Sequence, residues 1–214
     1  MDKPENIAED QWITTSRGVD SINFQRAAHM TWISVLMAMV VVVLADKTYS
    51  ILGEVFTRGR WVLLLYVVAS GLLVVQAWIQ YTWLILITHS PIQPVRTGLS
   101  LLNGIAIYVI CLSIEEPARW FIALSFFLLV SLTGLLVALR LHVLTDLLAK
   151  NIYYLIAALG VDLCITISAS WHLSVNNSTP VVWFWGILCL GSQVFYLWLI
   201  SRWMAEGRRY RNIP

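Results

Sequence analysis

Apolar residues in this chain are grouped in long runs broken by short polar segments, with no sustained alternation of strand type. Six runs have membrane-spanning length: residues 27–44, 61–84, 97–114, 120–141, 152–171 and 181–200. A bilayer core about 30 Å thick takes roughly 20 helical residues, so each run predicts one transmembrane helix. The breaks fall at 46–60, at the proline-containing 89–96, at the short 115–119, at 145–151 and at 172–180. The pattern predicts an all-α polytopic membrane protein. A cytoplasmic N-terminal tail covers 1–26, a six-helix transmembrane bundle covers 27–200, and a basic cytoplasmic tail covers 201–214.

Composition narrows the class further. Of 214 residues, 59% are hydrophobic and 12% charged, against roughly 45–50% and 25% in soluble domains. A soluble globule is excluded, and so is a disordered chain, which needs low hydrophobicity and high net charge. The net charge of +2 provides no field for nucleic acid. No polar segment is long enough for a separate domain, so any activity belongs to the bundle or to what it recruits, and no enzyme function is expected. Cys111, Cys164 and Cys189 all lie inside apolar runs, so no disulfide framework is expected. The first 26 residues carry Asp2, Glu5, Glu9, Asp10 and Asp20 and lack a basic segment before an apolar one, so the first helix is expected to be retained as a signal anchor.

Lysine and arginine placement sets the expected orientation. With the N-terminus inside, Lys3, Arg17, Arg26, Arg96, Arg140, Lys150, Arg202, Arg208, Arg209 and Arg211 fall on the inner side, and Lys47, Arg58, Arg60 and Arg119 on the outer side. The inner excess places both termini in the cytoplasm, although the first outer loop runs against the rule. Tryptophans support the spans: Trp61, Trp120, Trp171 and Trp183 fall at outer ends, and Trp83, Trp198 and Trp203 near inner ones, as expected of indoles at headgroup level. The C-terminal arginines form a juxtamembrane anchor for anionic lipid. The chain is expected to be a multi-pass protein of a bacterial inner membrane, assembled as a homo-oligomer or as a subunit of a membrane complex.

Asp162, in the middle of the fifth run, is the first candidate for chemistry, because an ionisable group within a span is costly to keep there. Asp162, Thr166 and Ser170 follow one another at helical spacing, and Gly160, Cys164 and Ser168 make a second stripe of small residues. These stripes predict a fifth helix that is central and closely packed. Gln76 and Gln80 in the second run, Asn103 with Ser100 in the third and Gln193 with Ser192 in the sixth are possible partners. Counted from the inner helix ends, Gln76, Asn103, Asp162 and Gln193 lie at similar depth, about 9–15 Å in, and could meet in one layer. That layer is read as a path for an ion, a proton or a small solute. The same residues would also serve as hydrogen-bonding glue between helices.

Other motifs add less. His29, His89 and His142, with Asp146 one turn after His142, gather at expected inner helix ends and are weak candidates for Zn²⁺ or a proton relay. No HExxH or CxxC pattern supports a metal, and no cofactor is expected. Glu115-Glu116-Pro117-Ala118-Arg119 is similar to the EExxxR element of CAAX-type intramembrane proteases, but its arginine comes one residue early and no FxxxH element is present. Outward-facing Asp46, Glu54, Glu115 and Glu116 could attract cations, or be neutralised by Arg58, Arg60 and Arg119. Two functions from different classes follow: a channel or transporter working through the layer around Asp162, or a non-catalytic subunit that anchors or assembles a larger membrane complex.

Overall fold

The computed structural model describes residues 6–87, 94–140 and 146–211 of the chain. They form six helices: α1 (Asn6–Arg58), α2 (Val62–Ile87), α3 (Pro94–Leu112), α4 (Pro117–Arg140), α5 (Asp146–Val175) and α6 (Thr179–Arg211). There is no strand among the described residues.

Helix α1 runs straight through residues 46–58, where the hydropathy pattern predicts a loop. The segment contains no proline to stop it, and its buried positions continue the inward stripe of Ile33, Met37 and Val40 through Ile51 and Val55. Thr48 and Thr57 donate to the carbonyls of Leu44 and Gly53 one turn back, which spares their hydroxyls a competing local structure. The helix stops at Gly59, whose φ of 65° is open to glycine, and the Gly59 amide closes the end on the Val55 carbonyl at 3.0 Å. The described parts of both predicted tails are helical too, since α1 begins at Asn6 and α6 continues to Arg211.

Two further links are also short, at residues 113–116 and 176–178. Pro117 opens α4 in the first-turn position that proline suits. Between α5 and α6, the Ser178 amide donates to the Asn176 side chain, and the Ser178 carbonyl takes the first helical bond, from Val182. The turns α1–α2, α3–α4 and α5–α6 therefore lie at one common end of the bundle.

Among the described residues, five helices are long and apolar enough to cross a membrane, over Ala27–Arg58, Val62–Gln80, Pro117–Val137, Tyr153–Val175 and Thr179–Arg202. The third expected span is shorter than predicted: the apolar part of α3, Thr97–Leu112, is about 24 Å long, because the chain leaves the helix at Ser113 to reach Pro117. Large apolar side chains cover the outside of the bundle, among them Met39, Val42, Ile122, Ile187 and Phe195, each more than half exposed. A surface apolar all round is what acyl chains require and water does not tolerate. This is the build of a multi-pass membrane protein.

The helices pack as a closed ring in the order α1, α2, α6, α5, α4, α3, and α2 also reaches α3. Glycine permits the closest approaches. A methyl group on Gly104 would sit 3.1 Å from Leu36 of α1, and one on Gly186 would run into Leu65 of α2 and touch the Tyr66 ring. The expectation of a central α5 is overturned: 44% of the α2 span and 39% of the α4 span are buried, against 22% of α5. The small stripe on α5 faces outward. Cys164 and Ser168 are exposed, and a methyl on Gly160 would meet nothing. Positions two apart lie about 200° apart around a helix, so a face carrying Asp162 inward turns Gly160 and Cys164 away.

Candidate functional site

Gln76 and Gln193 each lie fourteen residues from the first residues of α2 and α6, Val62 and Thr179, and Asp162 lies thirteen from Val175, the last of α5. At ~1.5 Å per residue all three sit about 20 Å from the end that carries the short turns. Equal depth alone does not make a site, but here the faces also agree. A cavity of about 20 Å³ brings the three together: Leu73 and Gln76 from α2, Leu124 and Leu128 from α4, Leu159, Asp162 and Thr166 from α5, and Cys189, Ser192, Gln193 and Tyr196 from α6.

Polar atoms in this cavity divide into partnered and unpartnered. Thr166 donates to the Leu163 carbonyl at 3.0 Å and accepts from Ser125 of α4 at 2.9 Å. The Ser192 hydroxyl donates to the Cys189 carbonyl at 2.9 Å, and its oxygen lies within hydrogen-bonding reach of the Asp162 carboxyl. Gln193 is 6% exposed and its amide nitrogen lies 3.7 Å from the Cys189 sulfur, which leaves its Oε1 free. Gln76 is 4% exposed, and its Oε1 likewise lacks a partner. A buried amide oxygen without a donor costs about 1–3 kcal/mol in desolvation. Both belong to residues that line this cavity together with Asp162, which makes it the least satisfied region among the described residues.

Of the other residues expected in the layer, Gln80 lies one turn further along α2 and donates to the Tyr196 hydroxyl at 2.8 Å, which fixes one wall of the cavity. Asn103 does not join: it is buried between α3 and α4 and faces the Ser131 hydroxyl at 3.5 Å. Ser170 donates to its own helix, to the Ile167 carbonyl.

Nearer the short-turn end than the cavity, close to the starts of α2 and α4, lies an aromatic cluster that sequence reasoning missed. Tyr66, Trp120 and Phe121 are fully buried and meet edge to face, with ring centres 5.0–6.0 Å apart. Trp120 Nε1 donates to Ser70 at 2.9 Å, and the Tyr66 hydroxyl donates to the Val182 carbonyl at 3.0 Å. The Arg119-Trp120 pair reads as a membrane-surface tryptophan, yet the Trp120 ring is fully buried while Arg119 stays exposed. The signal available in the sequence was Tyr66 and Ser70 one turn apart, offering an acceptor for an indole.

Beyond this cluster a wider cavity of about 540 Å³ opens among the three turns, lined by Arg58, Arg60, Trp61, Glu115, Glu116, Asn177 and Trp183 among others. Its charges are matched locally. Lys47 bonds Glu115 at 2.9 Å, Arg60 bonds Glu54 at 2.8 Å with Arg58 at 3.8 Å, and Arg119 bonds Glu116 at 2.9 Å. Of the two readings of these carboxylates, neutralisation describes Glu54, Glu115 and Glu116.

The weak metal candidates do not form a described cluster. His29 is buried on α1, His89 and His142 lie outside the described residues, and so does the side chain of Asp146. Among the described residues no three of His, Cys, Asp and Glu are grouped to hold a metal ion. His172, at the short-turn end, accepts from Trp185 Nε1 at 3.1 Å. No family model, curated protein or solved structure matches the chain.

Proposed function

We propose that the protein is a membrane channel or transporter for an ion, a proton or a small solute, and not an enzyme, working through the cavity around Asp162. One observation carries the reading: the cavity that Asp162 lines is also lined by Gln76 and Gln193, whose buried amide oxygens have no hydrogen-bond partner among the described residues. A purely structural polar cluster would be selected to pair its members, since interhelical hydrogen bonds in membranes contribute about 0.6 kcal/mol each and unpaired groups contribute none. Unpaired acceptors are expected instead where a passing ion or water completes the set.

In the orientation we favour, both termini face the cytoplasm of a bacterial cell, and the wide cavity opens outside. The Tyr66–Trp120–Phe121 cluster then lies between an outer vestibule and the polar cavity. Purified protein in liposomes is expected to pass ions or protons above the level of empty vesicles, and Asp162→Asn to remove that flux. Equal flux from wild type and empty vesicles would reject the reading.

A second reading, a non-catalytic assembly subunit acting as a homo-oligomer or within a larger complex, draws on the outward stripe of Gly160, Cys164 and Ser168, a composition that permits close helix contact. It predicts a stable larger assembly in mild detergent, which Gly160→Ile disperses.

A further inference from the structure

The walls of the cavity narrow the range of solutes. Among the described residues they include one carboxylate and no lysine, arginine or histidine, so an anion would enter against an uncompensated negative charge. Size is the second constraint. A volume of about 20 Å³ admits one water or one small ion, which needs roughly 10–15 Å³, whereas organic ligands occupy pockets of about 300–1,000 Å³. Charge count is the third. Ca²⁺ takes six to eight oxygen ligands and Mg²⁺ demands near-octahedral geometry, while a single carboxylate balances one positive charge only.

The unpartnered atoms are both carbonyl-type oxygens, Gln76 Oε1 and Gln193 Oε1, on side chains more than nine-tenths buried. Such oxygens replace the hydration shell of an alkali cation, and a carboxylate supplies the opposing charge. We propose that this cavity binds one monovalent cation of about sodium's size between the Asp162 carboxylate and the amide oxygens of Gln76 and Gln193. This deepens, and rests on, the reading of the same cavity as a transport site. Protons compete for it, because a protonated Asp162 loses the charge that holds the ion. The other titratable groups on its walls are Cys189 and Tyr196 of α6, and α2 and α4 contribute none.

The test uses the full chain in detergent, with thermal unfolding followed by tryptophan fluorescence in NaCl, LiCl, KCl or choline chloride at one ionic strength. Sodium should raise Tm in a saturable way and choline, too large for the cavity, should not. The sodium effect should weaken on acidification, fall at least tenfold in apparent affinity in Gln193→Leu, and vanish in Asp162→Asn. It should persist in Glu116→Gln, which alters only an exposed ion pair. The wild-type comparison stands even where a variant folds poorly. Equal Tm in sodium and choline would overturn the proposal and leave a bound water on the two amides, and stabilisation by acid alone would overturn it in favour of a proton site. Sodium binding without liposome flux would keep the site and reject transport, and flux without sodium binding would do the reverse.

Discussion

Trp120 and Gln193 are both buried polar side chains, one fully satisfied and the other not, and that difference separates the part of the core that holds the bundle from the part that offers a site. Trp120→Phe keeps the ring packing and loses the bond to Ser70, so it is expected to cost about 0.6 kcal/mol and at most ~2. Trp120→Ala also opens a cavity between Tyr66 and Phe121 and should cost about 3 kcal/mol or more. Thermal unfolding of the two variants and of Ser70→Ala gives the comparison. A Trp120→Phe loss as large as that of Trp120→Ala would mean that the bond, and not the packing, holds the cluster. Asp162, Gln76 and Gln193 were legible in the sequence because a charge or amide within an apolar run has few places to go. Asn103 obeyed the same depth argument and still went elsewhere, since depth fixes a layer and only the neighbouring helix decides which way a side chain points.

At the scale of the helices, glycines mark which contacts are tight. Gly186→Ile inserts a branched side chain against Leu65 and Tyr66 and is expected to destabilise by about 1–3 kcal/mol, the usual cost of overpacking. Gly160→Ala enters open space and should be neutral or stabilise by up to ~1 kcal/mol through helix propensity. Unfolding temperatures of the two variants check both, and a reversed order would place α5, and not α6, at the tight contact. The Lys47–Glu115 bond ties α1 to the α3–α4 turn while both side chains stay partly exposed, so Glu115→Gln should cost less than about 1 kcal/mol, with a loss that shrinks in high salt. The number of helices was legible from apolar runs alone, whereas their order around the ring was not. The full length of α1 was not, because hydropathy ends at Asp46 and Lys47 whereas the helix follows the buried positions Ile51 and Val55. The outward turn of the α5 stripe was available from helical geometry, since residues two apart cannot share a face.

Across the whole molecule, three short turns at one end place a wide, charge-balanced cavity above an aromatic cluster and the small cavity around Asp162 below it. In the proposed orientation, cysteines introduced at Glu116 and Ser178 should react with an impermeant thiol reagent added outside intact cells, and labelling only after permeabilisation would invert the topology. None of this layering shows as a motif, because its parts come from α2, α4, α5 and α6, and the chain brings them together only through the ring packing. The measurement that bears most directly on the account is sodium uptake into liposomes containing wild type, Asp162→Glu or Asp162→Asn. The account predicts uptake by wild type, reduced uptake by Asp162→Glu, which keeps the charge in a tighter space, and none by Asp162→Asn. Uptake by Asp162→Asn equal to that of wild type would contradict it.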